Sequence, residues 1–408
     1  MKLKLFGILA LFAVLAFALA GCGGNGTTTG TGNFEEEVGS QRAIRLGFEG
    51  GLCQAAIPIA HLMGFFAEEG LQTEIVVTGD LVNSRDSLVA GHIDTVAGML
   101  AGWFVPVTQG IDIRFTQGLH TGCASAFVLA DSGIARLESG QQIAVSGAIG
   151  GAFHNIALRF AYREGLAPGD FTFRDFPAAE AVIALQDGVV QVAVIPDQVG
   201  QRFVDEGILH RIRSLDDADF VSDNCCVLGM TGAFIDANPE TAARITRAVY
   251  RASRWIDESD ANKTQSVEVL IENGYVSAAV DVAYVVGLMN NWRWGIPHDL
   301  TEATLEISIV EYQAMGVINP NLDPEVIKAQ VWHPFEVSYD GVTQWTSANN
   351  DFDIAQLAVL PGVEFDYIRL ICCSEVNSFE TNQDTDNICA TTDCVLVDNC
   401  PVSVCSQF

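Results

Sequence analysis

The sequence repeats one pattern, an apolar strand followed by a glycine-rich turn and a helix, and this repeat limits the fold more than any other feature. The first copy has its strand at residues 43–48 and its turn at 50–54, and the second has its strand at 142–146 and its turn at 147–151. A further strand and helix follow in each copy, which is typical of units with parallel strands. The sequence therefore predicts an α/β fold of two lobes, each a mostly parallel sheet flanked by helices.

Residues 1–22 have the composition of an export signal. Two lysines precede an apolar stretch, residues 5–18, that is short for a membrane span, and the segment ends in Leu19-Ala20-Gly21-Cys22. Small residues before a cysteine resemble the bacterial lipoprotein signal, in which Cys22 would be lipidated; a plain secretory signal with a chance cysteine is the alternative. Residues 23–41 are predicted to be a flexible linker. We expect an exported protein, lipid-anchored on the periplasmic or extracellular face of the membrane.

The chain is strongly acidic, with a formal net charge of −30 from 51 acidic and 21 basic residues. A field of this sign repels polyanions, so nucleic acid is not an expected partner. The acidity is diffuse, which is more typical of a solubility adaptation than of a specific site. After the linker, the chain is long enough for two domains of about 100–200 residues each.

Five short motifs follow one another between residues 42 and 323. They are Ile44-Arg45-Leu46-Gly47, Gly64-Phe65-Phe66-Ala67-Glu68-Glu69-Gly70-Leu71, Leu88-Val89-Ala90-Gly91-His92-Ile93-Asp94, Ala193-Val194-Ile195-Pro196-Asp197 and Asn238-Pro239-Glu240-Thr241-Ala242. In order and spacing they resemble the solute-binding proteins of ABC importers, in the nitrate, sulfonate and thiamine-precursor group of NMT1/THI5-like and SsuA-like proteins. The resemblance covers most of the chain.

This resemblance implies a bilobal periplasmic-binding-protein type II architecture with a two-strand hinge. Lobe 1 would comprise residues 42–130 and 225–330, and lobe 2 would comprise 131–224. The lobes would close on a small solute and deliver it to the permease and ATPase subunits of an ABC importer. The resemblance thus implies a monomeric binding protein rather than an enzyme, with no cofactor.

The glycine-rich turns are the predicted ligand site. They lead into helix N-termini, whose unpaired N–H groups favour anions or polar acceptors at the carboxyl ends of strands. The predicted solute is a small organic molecule, anionic or heteroaromatic, like a sulfonate, nitrate or a pyrimidine precursor. Ordinary chain reversal, helix capping and core packing remain the alternatives for individual positions. The candidate ligand-binding residues here are Gly50, Gly51, Leu52, Cys53, Gln54, Met99, Ile149, Gly150, Gly151, Asn155, Asp197 and Gln198.

Cysteine and histidine residues form a second set of ligand-binding candidates: Cys53, His120, Cys123, Cys225 and Cys226. Cys53 lies in the first turn, and the other four lie where the chain would cross between lobes, so all five are expected to converge near the cleft mouth. Three interpretations stay open. A disulfide could join Cys123 to Cys225 or Cys226, the five could bind a soft metal or thiophilic ligand, or the thiols could be free and buried.

The segment Cys225-Cys226-Val227-Leu228-Gly229 invites comparison with the thiamine-pyrimidine synthase branch of the same fold. That branch has a cysteine triplet followed by an aromatic residue and glycine, whereas here Val227-Leu228 stand in place of cysteine and the aromatic residue. The difference weakens an enzymatic interpretation.

Residues 331–408 differ from the rest of the chain in composition, and the resemblance stops before them. A small disulfide-stapled extension is one interpretation of this cysteine-rich segment, and poorly ordered sequence is the other. No function is assigned to it. Its cysteines are Cys372, Cys373, Cys389, Cys394, Cys400 and Cys405.

Overall fold

The computed structural model of the chain describes residues 33–79, 81–220 and 223–344. The predicted signal peptide with Cys22, the linker up to residue 32 and the six cysteines near the C-terminus lie outside the described residues. Within them, no helix combines the length and apolarity that crossing a bilayer requires.

The described elements alternate as the sequence predicts. The strands are β1 (Ile44–Phe48), β2 (Thr73–Val77), β3 (Thr95–Met99), β4 (Ile113–Thr121), β5 (Ala124–Leu129), β6 (Gln142–Ser146), β7 (Thr172–Phe176), β8 (Val192–Pro196), β9 (Leu209–Ser214), β10 (Asn224–Thr231), β11 (Trp294–Ile296), β12 (Val337–Tyr339) and β13 (Val342–Gln344). The α-helices are α1 (Ala56–Leu62), α2 (Phe65–Glu68), α3 (Leu81–Val89), α4 (Leu100–Thr108), α5 (Ala152–Arg163), α6 (Ala178–Gln186), α7 (Asp197–Asp205), α8 (Gly232–Ala237), α9 (Pro239–Asp257), α10 (Asp260–Glu272), α11 (Val282–Met289), α12 (His298–Ala314) and α13 (Pro324–Val331). Short 3-10 helices cover Phe34–Glu36, Val38–Gln41, Leu52–Gln54 and Pro168–Asp170.

Two sheets form the two lobes. The lobe 1 sheet has the strand order β11-β4-β10-β3-β1-β2, and the lobe 2 sheet has the order β7-β6-β8-β5-β9. A separate hairpin pairs β12 with β13. The predicted α/β architecture of two lobes is therefore confirmed.

The sheets are mixed, although the sequence predicted mostly parallel sheets. Strand β1 is parallel to β2 and β3, and β6 is parallel to β7 and β8. By contrast, β10 is antiparallel to β3 and β4, and β5 is antiparallel to β8 and β9. The antiparallel strands β4, β5, β9 and β10 are those that carry the chain between the lobes, and such connections need no helical crossover.

The chain crosses between the sheets twice, which gives the expected two-strand hinge. Strand β4 leads through Gly122 and Cys123 into β5, and β9 leads through residues 215–223 into β10. The lobe 1 boundary predicted at residue 130 is therefore displaced, because β5 pairs within the lobe 2 sheet. A run of apolar residues predicts a strand, but it does not predict which of the two sheets that strand joins.

Trp103 anchors the packing of α4 on the lobe 1 sheet. Trp103 is 1% exposed, and its indole packs against Gly98 of β3 and Gly229 of β10. The sheet leaves room for it through two glycines: a Cβ added at Gly98 would lie 2.0 Å from a ring carbon of Trp103, and one at Gly229 would lie 2.1 Å from another. Any side chain at these positions must displace the indole.

We expect Gly98→Ala to destabilise the protein by about 1–3 kcal/mol, because the added methyl group overpacks the space that Trp103 fills. The matched control is Gly287→Ala. Gly287 lies exposed within α11 with no atom within 4 Å of an added Cβ, so the control should stabilise by about 0.5–1 kcal/mol through helix propensity. Urea unfolding measures both, and equal shifts in the two variants would contradict the packing argument.

Candidate functional site

The candidate site is the cleft between the lobes, where helices begin at the carboxyl ends of parallel strands. In lobe 1 the 3-10 helix Leu52–Gln54 follows β1, and α4 follows β3 directly. In lobe 2 α5 follows the glycine-rich turn after β6, and α7 follows β8 directly. The first turns of these helices present backbone N–H groups without intrahelical partners. Helix N-termini of both lobes therefore meet at one place, a geometry that suits an anion or a polar acceptor.

Two hydrogen bonds join the lobes across this cleft. The side-chain amide of Asn155 on α5 donates to the carbonyl of Ala101 on α4 at 2.8 Å and to Gly150 O at 3.3 Å. At the other edge, the Leu52 N–H donates to Gln198 Oε1 at 3.4 Å. The structure is thus a closed form in which the predicted residues Leu52, Asn155 and Gln198 contact the opposite lobe.

Other predicted residues hold the turns in shape. Gly50 and Gly150 have φ values of 97° and 85°, a backbone conformation that favours glycine. Gln54 is buried, and its amide accepts from the Glu49 N–H at 2.9 Å and donates to Ala97 O at 2.8 Å. Both ends of the Gln54 amide are therefore used within lobe 1.

The remaining predicted residues of the turns and strand ends differ in exposure. Met99, at the end of β3, is 7% exposed and packs in the core. Ile149 is 50% exposed. Gly51 lies in the turn after β1, next to the Cys53 sulfur. Gly151 precedes the first residue of α5. Asp197 is buried as the first residue of α7, and its backbone N–H donates to Cys123 O at 3.0 Å.

The structure brings the cysteine and histidine candidates together at the hinge. Cys123 and Cys225 form a disulfide that ties one crossing to the other. The Cys226 sulfur lies 4.0 Å from the Cys225 sulfur. The ligand atoms of His120, Cys123, Cys225 and Cys226 all lie within 4.8 Å of one another, and all four residues are buried. Of the alternatives left open by the sequence, the structure contains the Cys123–Cys225 disulfide.

The two free thiols beside this disulfide differ in their acidity. Hydrogen bonding with the Cys226 thiol, together with the proximity of the His120 ring, lowers the pKa of Cys53 to about 5 against the opposing effect of burial. The same contact and burial raise the pKa of Cys226 well above its ordinary value. Cys53 is only partly buried. The contact between the two thiols therefore favours a thiolate at Cys53 and a protonated Cys226.

Two neighbouring carboxylates beside the hinge, Asp197 and Asp216, were not predicted as a group. Burial, and after it the negative charge of the neighbouring Asp197, raise the pKa of Asp216 to about 7. Burial likewise raises the pKa of Asp197 to about 6. Asp216 packs against Gly122, where an added Cβ would lie 2.2 Å from its carboxylate oxygen. No motif marks Asp216, because its position depends on how the crossing loop folds back over the other crossing.

We expect the stability difference between Asp216→Asn and the unsubstituted protein to depend on pH. The folded-state pKa of Asp216 lies above the value of 3.8 for an unperturbed carboxyl. Ionisation of Asp216 therefore disfavours the folded state progressively as pH rises from about 4 to about 7, and the loss is complete above that range. The amide cannot ionise, so the variant should gain stability relative to the unsubstituted protein across this range.

Thermal unfolding at a series of pH values measures this difference. The exposed Asp131→Asn removes one negative charge elsewhere and controls for the general effect of the acidic surface. A difference for Asp216→Asn that stays constant between pH 4 and pH 8 would refute the assignment.

A buried ionic network joins the lobes next to the hinge. Arg159 on α5 donates to Glu311 Oε2 and to Asp223 Oδ2, both at 2.5 Å. Arg163 donates to Glu311 Oε1 at 2.8 Å and lies over the Phe220 ring at 3.7 Å from its centroid. Glu311 belongs to α12, which packs against lobe 1 strands. One signal could have revealed this network: polar residues at 155, 159 and 163 recur every four residues along α5 and share one face.

We expect Glu311→Gln to destabilise the protein by about 3–5 kcal/mol, because it removes the charge of the carboxylate that the buried Arg159 and the partly buried Arg163 share. The exposed pair of Arg202 and Glu206 provides the control, and Glu206→Gln should cost no more than about 1 kcal/mol. Urea unfolding of both variants tests this expectation. If Glu311→Gln lowers the free energy of unfolding by less than about 1 kcal/mol, the network contributes little to stability.

Comparison with known proteins agrees with this architecture. The sequence profile of the NMT1-like family matches residues 39–271, which is more than half of the chain. The chain belongs to the NMT1-like family. No match was found among curated proteins.

Solved structures show that this NMT1-like chain has the fold of periplasmic binding proteins of type II. The periplasmic nitrate-binding protein NrtA from Synechocystis PCC 6803 is similar with a TM-score of 0.59 at 16% identity, over 71% of this chain and 86% of that one. The alkanesulfonate-binding protein SsuA from Xanthomonas axonopodis pv. citri, bound to MOPS, gives 0.57 at 15% identity, over 71% and 98%. The aliphatic sulphonate-binding protein SsuA from Escherichia coli gives 0.57 at 14% identity, over 71% and 97%. Similarity at these identities establishes the fold, and both the predicted fold class and the predicted family are confirmed.

Proposed function

We propose that this protein is the extracytoplasmic solute-binding component of an ABC importer and that it binds a small organic solute in the cleft between its lobes. The observation that carries the proposal is the meeting of helix N-termini from both lobes at the cleft, where Asn155 and Gln198 already bond to the opposite lobe. A solute at this place would contact both lobes and favour closure by hinge bending.

The proposed solute is anionic or heteroaromatic. Helix N-termini stabilise negative charge through their unpaired N–H groups and dipoles, and the cleft has such termini in both lobes. Two structurally similar proteins are named as a nitrate-binding and a sulphonate-binding protein. Both of these ligands are anions, which agrees with this chemistry. A pyrimidine precursor would use the same donors for its ring nitrogens.

Export and transport follow as further parts of the proposal. Residues 1–22 would direct export, Cys22 would carry the lipid anchor, and residues 23–41 would tether the folded body. The permease and ATPase subunits of the importer would be the protein partners, and the protein would act as a monomer.

We propose a binding protein rather than an enzyme. Val227 and Leu228, which stand where the synthase branch would have a cysteine and an aromatic residue, are both fully buried in β10. Both side chains pack within the lobe 1 sheet, and neither carries a reactive group. A synthase-like enzyme would instead consume its ligand and need bound iron.

Calorimetric titration of the purified full chain, disulfide intact and with a chelator present, tests the solute proposal. The probes are an alkanesulfonate, nitrate and an aminopyrimidine, alongside native mass spectrometry for a co-purified solute. We expect one of these to bind with a stoichiometry of one. Asn155→Ala should weaken the binding about 3- to 10-fold, because the closed form loses one interlobe hydrogen bond.

The control for this variant is Asn273→Ala. Asn273 is exposed at the end of α10, and its side-chain amide donates to Val269 O of that helix, so its loss should leave the affinity unchanged. The proposal fails if no probe binds and no solute co-purifies, or if bound solute is converted to a product. Equal weakening by the two variants would place the solute elsewhere than in this cleft.

A further inference from the structure

The hinge carries a group of soft ligands that the proposed solute site does not use. We call His120, Cys123, Cys225 and Cys226 the hinge cluster. Their ligand atoms lie within 4.8 Å of one another, and each residue is no more than 5% exposed. His120 comes from β4, Cys123 from the first crossing, and the adjacent cysteines from the start of β10. Four donor groups from both chain crossings thus surround one point.

His120 is oriented as a ligand. Its Nδ1 lies 2.9 Å from the carbonyl of Thr121, to which it donates, so the Nε2 lone pair is left available. Nε2 is buried and has no hydrogen-bond partner among the described residues. The ring packs against Trp292 and Trp294, whose ring centroids lie 5.3 and 5.0 Å from its own. A fixed imidazole whose second nitrogen bonds to a backbone carbonyl is the usual arrangement of a metal-binding histidine.

The spacing of the cluster is close to that of a tetrahedral site. Ligand atoms around a zinc ion with three thiolates and one imidazole lie about 3.5–3.8 Å apart. The widest pair, at the limit of 4.8 Å, must approach by about 1 Å. The sulfurs of Cys123 and Cys225, which are bonded to each other in the disulfide, must move apart on reduction to reach the same spacing. We propose that the hinge cluster binds one thiophilic cation, of the Zn²⁺ or Cu⁺ class, through His120 Nε2 and the sulfurs of Cys123, Cys225 and Cys226, when the Cys123–Cys225 disulfide is reduced.

The disulfide makes this site dependent on redox state. An external dithiol donates two electrons and two protons to the S–S bond, which becomes two thiols, while the dithiol itself becomes a disulfide. Binding of the cation then displaces the protons of the three cysteine thiols. In the oxidised protein two of the four ligands are tied to each other, and a disulfide sulfur is a poor ligand compared with a thiolate.

The cluster has a route to the cleft through Cys53. The four ligands are buried, whereas Cys53 is only partly buried and its thiol contacts Cys226 and the His120 ring. Cys53 lies on the cleft turn between β1 and α1. A cation or a reductant can therefore reach the cluster from the cleft by way of a further thiol. The cation and the disulfide are alternative cross-links between the same two crossings.

Metal titration of the full chain in both redox states tests the proposal. The six cysteines near the C-terminus are replaced by serine, because they could bind the same ions. One sample is reduced with dithiothreitol, which is removed under argon, and the other keeps its disulfide. Co²⁺ is the spectroscopic probe, and Zn²⁺ is used in competition with it. We expect one equivalent to bind the reduced protein, with thiolate-to-Co²⁺ charge-transfer absorption, and binding at least about 100-fold weaker in the oxidised protein.

Substitutions identify the ligands. Cys226→Ser should remove one thiolate from the Co²⁺ spectrum and weaken binding at least about 100-fold, and His120→Gln should weaken it about 10- to 100-fold. His210→Gln is the matched control for His120→Gln, because His210 is exposed on β9, and it should keep the stoichiometry and the spectrum. The proposal is wrong if the reduced protein binds no stoichiometric ion, if the oxidised protein binds equally well, or if Cys226→Ser leaves the spectrum unchanged.

Reduction itself could unfold the chain, and near-ultraviolet circular dichroism detects this. If the signal is lost on reduction, Zn²⁺ must restore it, and a failure to restore it also overturns the proposal. Solute titration is performed on the oxidised protein with a chelator, so its outcome is independent of this one.

Discussion

The rest of the structure depends on the joining of the two chain crossings. Thr121 at the end of β4 pairs with Asn224 at the start of β10, and the disulfide between Cys123 and Cys225 fixes the same place covalently. Two crossings held side by side leave the lobes free to bend about one axis but not to separate or slide. The disulfide also closes a loop of 102 residues, which contains the whole lobe 2 sheet, and so restricts the unfolded chain. Cleft geometry and hinge chemistry are thus consequences of the same contact.

This joint also explains why the sheets are mixed. The strands that carry the chain between lobes run antiparallel to their neighbours, whereas the parallel strands lie to one side of them in each sheet. The carboxyl ends of the parallel strands in both lobes then point into the cleft. Because helices start at these ends, the glycine-rich turns and helix N-termini of the two lobes meet there. A closed cleft with N–H groups on both sides follows from topology before any particular side chain is considered.

Local patterns in the sequence predict the strand, turn and helix of each unit, because apolar runs and glycines act over a few residues. They also place Cys53 in a turn, whereas the expectation that His120, Cys123, Cys225 and Cys226 lie near the crossings rests on the family resemblance. They do not assign β5 to lobe 2, since pairing partners are chosen by the whole sheet. Arg159 and Glu311 are in contact although they are 152 residues apart in the sequence. Asp216 contacts Gly122 because of the path that the loop after β9 takes. No periodicity encodes such separations, and only the resemblance to a family could have suggested the lobe order.

Helix α5 connects these features. Asn155, Arg159 and Arg163 are spaced by four residues and share one face, which contacts lobe 1 along its length. The first of them bonds to the start of α4 at the cleft, and the other two bond to Glu311 beside the hinge. Since a helix is stiff over three turns, a shift at its N-terminus must move the arginines with it. Arg159 is buried, Arg163 is partly buried, and both are paired with carboxylates. Separating the buried pair costs several kcal/mol. Opening of the cleft at Asn155 is therefore coupled through α5 to the ionic network, and a solute at the N-terminus of α5 acts on both.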